Sequence, residues 1–172
     1  MRLCQRIIFY KQTREYLIVK HLFLDFDGVV SPHSSILNGI VPCLSESGCD
    51  ISYFPDIVDW INDKIKNPNW EVYWLTTWCL YIDELSPVGI SDSAHVIYPD
   101  ENDDEENSPY WKQTLGIQKY YDIIRNNPND IVIWIDDEKE ICNHPNLDNL
   151  YSFSPDGYIG MIKSMMDEID SI

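Results

Sequence analysis

Apolar positions in this chain follow two periods that take turns along it. Five short runs, HLFLDF (21–26), EVYWLTT (71–77), HVIY (95–98), DIVIWID (130–136) and NLYSF (149–153), are rich in apolar residues and read as strands. Three of them are too apolar for a sheet with one wet face, so they predict a central parallel sheet covered on both sides. Between the runs the period lengthens to that of a helix. Phe54, Ile57, Val58, Ile61 and Ile65 form one such stripe, which stops at Asn67-Pro68. A second helix is predicted over 109–126, with Ser108 as its cap, Pro109 at its first position and Ile117, Tyr120, Tyr121 and Ile124 on its buried side. A last helix is predicted to carry Tyr158, Ile162, Met165 and Ile169 on one stripe. Strands alternating with helices in this way predict an α/β doubly wound fold.

Two stretches fall outside the alternation. Residues 30–53 are turn-rich and are expected to form a small hairpin or flap. Residues 99–108, PDENDDEENS, are expected to be a solvated acidic loop rather than a metal site. Residues 1–20 precede the first strand as an extension, for which a hairpin of RIIFY against EYLIV, an extra helix and a start-codon artefact all remain open. The remainder, 21–172, is expected to fold as one domain with its own core.

Composition narrows the setting. Hydrophobic residues make up 44% of the chain and aromatic residues 13%, which places it among globular rather than disordered sequences. A net charge of −17 works against binding long nucleic acid, while a short phosphorylated end or a free metabolite stays compatible. Five cysteines without a CxxC pair, an odd number, argue against a disulfide framework and for a reducing, cytoplasmic location. His21, His33, His95 and His144 show no zinc-ligand spacing. No apolar run reaches membrane length and the start of the chain lacks a signal-peptide core, so no membrane partner is expected.

In a parallel α/β sheet, ligands bind beyond the carboxyl ends of the strands. The polar residues expected there are Asp25, Asp27 and Gly28 after the first run, Thr76 and Thr77 after the second, and Asp136, Asp137 and Glu138 after the fourth. Lys112 opens the helix ahead of that fourth strand. Two carboxylates as close as Asp25 and Asp27, about 5 Å apart, repel by roughly 3 kcal/mol at an effective dielectric near 20. A bound cation or a shared proton must offset them. Lys112 in a first helical turn opposes the macrodipole by a few tenths of a kcal/mol, a penalty that a bound anion reverses.

Each piece alone has a plainer explanation. A DxD pair also occurs in capping turns, threonines form strands readily, and Lys112 would serve as an exposed lysine beside a cap. Asp136 and Asp137 would serve as caps for the short helix EKEIC. The joint order narrows the reading: DxDG, an apolar strand ending in Thr, a Lys, then an apolar strand ending in DD.

In that order the sequence resembles the haloacid dehalogenase-like (HAD) superfamily of phosphohydrolases. LDFDGVV (24–30), YWLTTW (73–78), Lys112 in YWKQT and WIDDE (134–138) carry the resemblance, which covers roughly residues 21–170. WLTTW, WIDDE and the PDG…G stretch near the C terminus look most like the small HAD domain of Swiss-army-knife RNA-repair proteins. The resemblance implies a three-layer, Rossmann-like (HAD-like) parallel sheet with helices on both faces and a small cap or none. It also implies a Mg²⁺-dependent phosphatase acting on phosphate monoesters. Asp25 would attack phosphorus and form an aspartyl-phosphate. Asp27 would protonate the leaving oxygen and then activate water. Mg²⁺ would be held by Asp25, the backbone carbonyl of Asp27 and Asp136, with Asp137 an alternative or more distant ligand. Thr76, with Thr77 in reserve, Gly28 and Lys112 would contact the phosphoryl group, Lys112 also neutralising Asp25.

A receiver domain uses the same residue types, but in a different order, with the acidic pair first and the phosphorylated Asp on the third strand. Sugar-nucleotide transferases share the DxD and lack the trailing Thr, Lys and DD. A catalytically idle HAD-like module binding a phosphorylated ligand or protein partner is the reading from another class, and the presence of Asp27 speaks against it. An open site of this kind suits a phosphorylated small molecule, a nucleic-acid end or a phosphoprotein, by analogy.

Overall fold

The computed structural model describes residues 17–99, 110–142 and 147–172. Its centre is a parallel sheet of five strands in the order β5-β4-β1-β6-β7. These are β1 (Lys20–Leu24), β4 (Trp70–Trp74), β5 (His95–Val96), β6 (Ile131–Ile135) and β7 (Leu150–Phe153). A separate antiparallel hairpin pairs β2 (Val41–Leu44) with β3 (Asp50–Tyr53), in the stretch expected to be a hairpin or flap. The helices are α1 (Pro55–Lys66), α2 (Trp111–Asn126), the single turn α3 (Lys139–Cys142) and α4 (Lys163–Ser171). Two short 3-10 turns on either side of a kink at Tyr81 fill Cys79–Val88. No helix among the described residues is long and apolar enough to cross a membrane.

Strand alternation divides the core into two layers of packing. Leu22, Leu24, Val72, Trp74, Ile133 and Ile135 face one side, where α1 presents Ile57, Val58 and Ile61 and α4 presents Met166 and Ile169. Phe23, Tyr73, Val132 and Trp134 face the other, where α2 brings Leu115, Tyr120 and Ile123. Helices therefore cover both faces, and each side chain fully buried this way contributes about 1.5–3 kcal/mol. α1 starts with Pro55 at its first position, carries Lys64 and Lys66 in its last turn where they suit the dipole, and stops before Pro68.

The elements differ from the sequence expectations in three places. Strands are shorter than their apolar runs: β4 ends at Trp74 and β5 at Val96, leaving Thr76, Thr77 and Tyr98 in the loops beyond. On the expected buried side of α2, Tyr120 is buried and Ile117 and Ile124 pack half-buried against the core, but Tyr121 is exposed. The most buried stripe also takes in Lys112, Leu115, Gly116 and Ile123. The last helix does not include Tyr158 or Ile162. Gly160 at φ +77° and the turn bonds from Gly160 and Ile159 to the Asp156 carbonyl break the chain there, and both side chains are exposed. The expected cap Ser108, Pro109, the acidic residues 100–108 and the first 16 residues of the extension lie outside the described residues.

Candidate active site

Register sets the site. Leu24 pairs with Trp74 on one side and with Ile135 on the other, so the carboxyl ends of β1, β4 and β6 are level. One residue further, Asp25 donates its amide to Ile135 O at 3.0 Å, and Leu75 donates to Leu24 O at 2.9 Å. Asp25 and Asp136 thus emerge side by side. By the two-residue period they point to the same face as Phe23 and Trp134, the face covered by α2. The chain leaves β1 toward β4 and leaves β6 toward β7, so the crevice where connections diverge lies between these two strand ends.

Lys112 enters from α2 on that face. Its Nζ donates to Asp25 Oδ2 at 2.6 Å and to Asp136 Oδ2 at 3.2 Å, and the residue is only 3% exposed. The plain alternative of an exposed lysine does not hold, and two carboxylates outweigh the dipole penalty. The other Asp25 oxygen, Oδ1, accepts the Phe26 amide at 2.7 Å. Asp136 Oδ1 accepts the Glu138 amide at 3.0 Å, so Asp136 both stabilises the turn into α3 and faces the ammonium.

Thr76 is fully buried and its hydroxyl favours the ionised form of Asp25, while Thr77 is exposed. Asp27 stands apart from the other carboxylates: its Oδ2 accepts the indole N–H of Trp78 at 2.8 Å. Gly28 turns the chain at φ +71° and donates its amide to Ser31 O at 2.7 Å. A Cβ at Gly28 would lie 2.3 Å from Asp137 Cγ, so the missing side chain makes room for Asp137. Asp137 Oδ2 in turn sits 3.3 Å from His33 Nε2.

Burial pushes the Asp25 carboxyl above the ordinary carboxylate range, against the pull of Lys112. Burial, and then the charge of Asp25, raises Asp136 to about 7. Burial would lower Lys112, but the charges of Asp25 and Asp136 outweigh it and hold the ammonium above the usual lysine range. Lys112 therefore keeps its proton while Asp136 competes for one.

The donor set suits a hard divalent cation. Asp25, Asp136 and Asp137 each offer one carboxylate oxygen within 4.8 Å of the others. Octahedral Mg²⁺ takes oxygens at about 2.0–2.1 Å, and hard carboxylate oxygens of this kind are its usual protein ligands. Fully ionised, three carboxylates against the one Lys112 ammonium leave two negative charges in surplus. The Asp27 side chain is not part of this group, and neither threonine belongs to it.

The geometry brings Asp25, Thr76, Lys112, Asp136 and Asp137 to one crevice, with Asp27 and Gly28 on the turn above it. Sequence reasoning missed Trp78 and His33, which reach the site from neighbouring loops. Trp78 lies inside the quoted YWLTTW segment, but nothing in one sequence gives the direction of its ring. No family model, curated protein or solved structure matches the chain, so the functional reading rests on this geometry.

Proposed function

We propose that the chain is a HAD-like phosphohydrolase that cleaves phosphate monoesters through an aspartyl-phosphate on Asp25. The observation that carries this reading is the Lys112 ammonium held between Asp25 and Asp136 at 2.6 and 3.2 Å. That buried ammonium fixes the aim of the Asp25 carboxylate and sets a positive charge where phosphoryl oxygens would lie. The strand order and the small size of the β2–β3 hairpin fit a Rossmann-like HAD fold with little cap.

In the first step an Asp25 carboxylate oxygen attacks phosphorus while the bond from phosphorus to the leaving oxygen breaks. Asp27 gives its proton to that oxygen. In the second step Asp27 takes a proton from water as the water oxygen attacks phosphorus, and the Asp25 carboxylate is released. Lys112 orients Asp25 and balances charge on the phosphoryl oxygens, and the Thr76 hydroxyl bonds one of them. Mg²⁺ bound by Asp25, Asp136 and Asp137, with the Asp27 carbonyl, would neutralise phosphoryl charge as a Lewis acid. Lys112 and the Asp25 amide bond keep the nucleophile aimed in the meantime.

Hydrolysis of p-nitrophenyl phosphate with Mg²⁺ tests the reading. Wild type is expected to turn over, and EDTA, Asp25→Asn or Asp27→Asn each to lower activity by about 10²-fold or more. Wild type that binds phosphate without turnover would instead favour a catalytically idle binding module.

A further inference from the structure

We propose that Trp78 is the positioning residue for the acid/base carboxylate, holding Asp27 by Oδ2 so that Oδ1 is the oxygen that exchanges the proton with the leaving group. The inference deepens the phosphohydrolase reading and rests on it. An acid/base group must present one oxygen within hydrogen-bond reach of the proton's destination, and a half-buried carboxyl free to rotate does not hold such an aim unaided. Asp27 lies on the turn that follows β1, where Gly28 takes a positive φ. Trp78 Nε1 meets Asp27 Oδ2 at 2.8 Å.

Two features make this contact more than packing. An indole N–H only donates, so its partner oxygen must act as an acceptor whether or not the carboxyl carries a proton. The carbonyl oxygen of a protonated carboxyl accepts better than its hydroxyl oxygen, which favours the proton on Oδ1 in both steps of the cycle. Trp78 is itself held through its ring and through its backbone. Its ring meets the fully buried Phe26 edge-on at 6.1 Å, and Phe26 meets Trp74 in the same manner at 6.1 Å. The Trp78 amide reaches Thr76 Oγ1 at 3.4 Å, and that hydroxyl favours the ionised form of Asp25. One short turn, 76–78, thus supplies a hydroxyl to the nucleophile and an N–H to the acid/base.

Atoms balance without any further reactant. As the Asp25 oxygen bonds to phosphorus, the electron pair of the breaking bond goes to the leaving oxygen, which takes the proton from Asp27 Oδ1. The attacking water later returns a proton to the same oxygen, and the pair of the breaking aspartyl bond returns to Asp25.

The test uses leaving groups. An alkyl phosphate needs protonation as its alkoxide departs, whereas p-nitrophenolate leaves as a stable anion. Trp78→Phe is expected to lower kcat/KM on an alkyl phosphate by about 10- to 100-fold, the value of a hydrogen bond to a charged group. On p-nitrophenyl phosphate kcat/KM ends at phosphoryl transfer to Asp25 and needs no acid there, so it should stay within about threefold. On that substrate kcat falls through the later activation of water by Asp27. Benzothienylalanine at position 78 keeps the ring shape without the N–H and should reproduce the split, which removes lost packing as an explanation. Equal losses of kcat/KM on both substrates, or none, overturn the role of Trp78 while leaving the phosphohydrolase reading in place. No turnover of either substrate by wild type overturns both.

Discussion

Lys112 is the residue on which the site turns. Its ammonium is buried and shared by Asp25 and Asp136, so removing it leaves two carboxylates facing each other in a dry crevice. In EDTA, Lys112→Met is expected to lower unfolding free energy by about 3–5 kcal/mol, read from urea denaturation, with part of the loss recovered in Mg²⁺. A loss within about 0.5 kcal/mol would mean that the pair contributes little to holding the site together. At this scale much was legible in the sequence. Asp25 and Asp136 follow unbroken apolar runs, so their place at strand ends could be read directly. The company of Asp27 could not. Its bond to Trp78 joins residues 51 apart in the chain through the orientation of one ring.

Among the elements, α2 carries the clearest lesson. Apolar periodicity puts Ile117, Tyr120, Tyr121 and Ile124 inward; Tyr120 is buried and the two isoleucines half-buried, but Tyr121 is exposed and the helix turns Lys112 and Gly116 to the sheet. Neither residue registers as core in a hydrophobic pattern. Lys112 turns inward because two carboxylates wait there. Gly116 turns inward because a Cβ would stand 2.1 Å from the Trp134 ring, and only its absence lets the helix come that close. A polar residue and a glycine thus set the phase of an amphipathic helix. At α4 the pattern misled in another way: Tyr158 and Ile162 keep the helical spacing but sit before the helix begins. The hairpin in 30–53 was legible from its turn residues, whereas its partner surface was not. The Glu46 amide bonds to Glu84 O at 3.1 Å and Ser86 Oγ donates to Glu46 Oε1 at 2.8 Å, which ties the hairpin turn to the 3-10 segment.

For the molecule as a whole, alternation of strands and helices was enough to give the fold class, while the strand order and the divergence between β1 and β6 came only with the structure. The same arrangement gives stability a pH dependence of known sign. Asp136 is raised from 3.8 to about 7 by burial and by Asp25. Over that interval the native state holds a proton that the unfolded chain has released, so its contribution to stability falls as pH rises. In EDTA, melting of wild type relative to Asp136→Asn should therefore drop between about pH 4 and about pH 7, as followed by scanning calorimetry. Mg²⁺, which binds the ionised form, should restore more stability at the upper end of the range than at the lower. A difference that rises with pH, or none, would count against the buried carboxylate.

The account turns on Asp25 as a nucleophile, and the covalent intermediate tests that most directly. Wild type mixed with p-nitrophenyl phosphate and Mg²⁺, quenched in acid during turnover and reduced with borohydride, converts an acyl-phosphate to homoserine. Peptide mass spectrometry is predicted to find homoserine at position 25 and to find none when substrate is withheld. Turnover with an unmodified Asp25, or with the modification at another carboxylate, would contradict it.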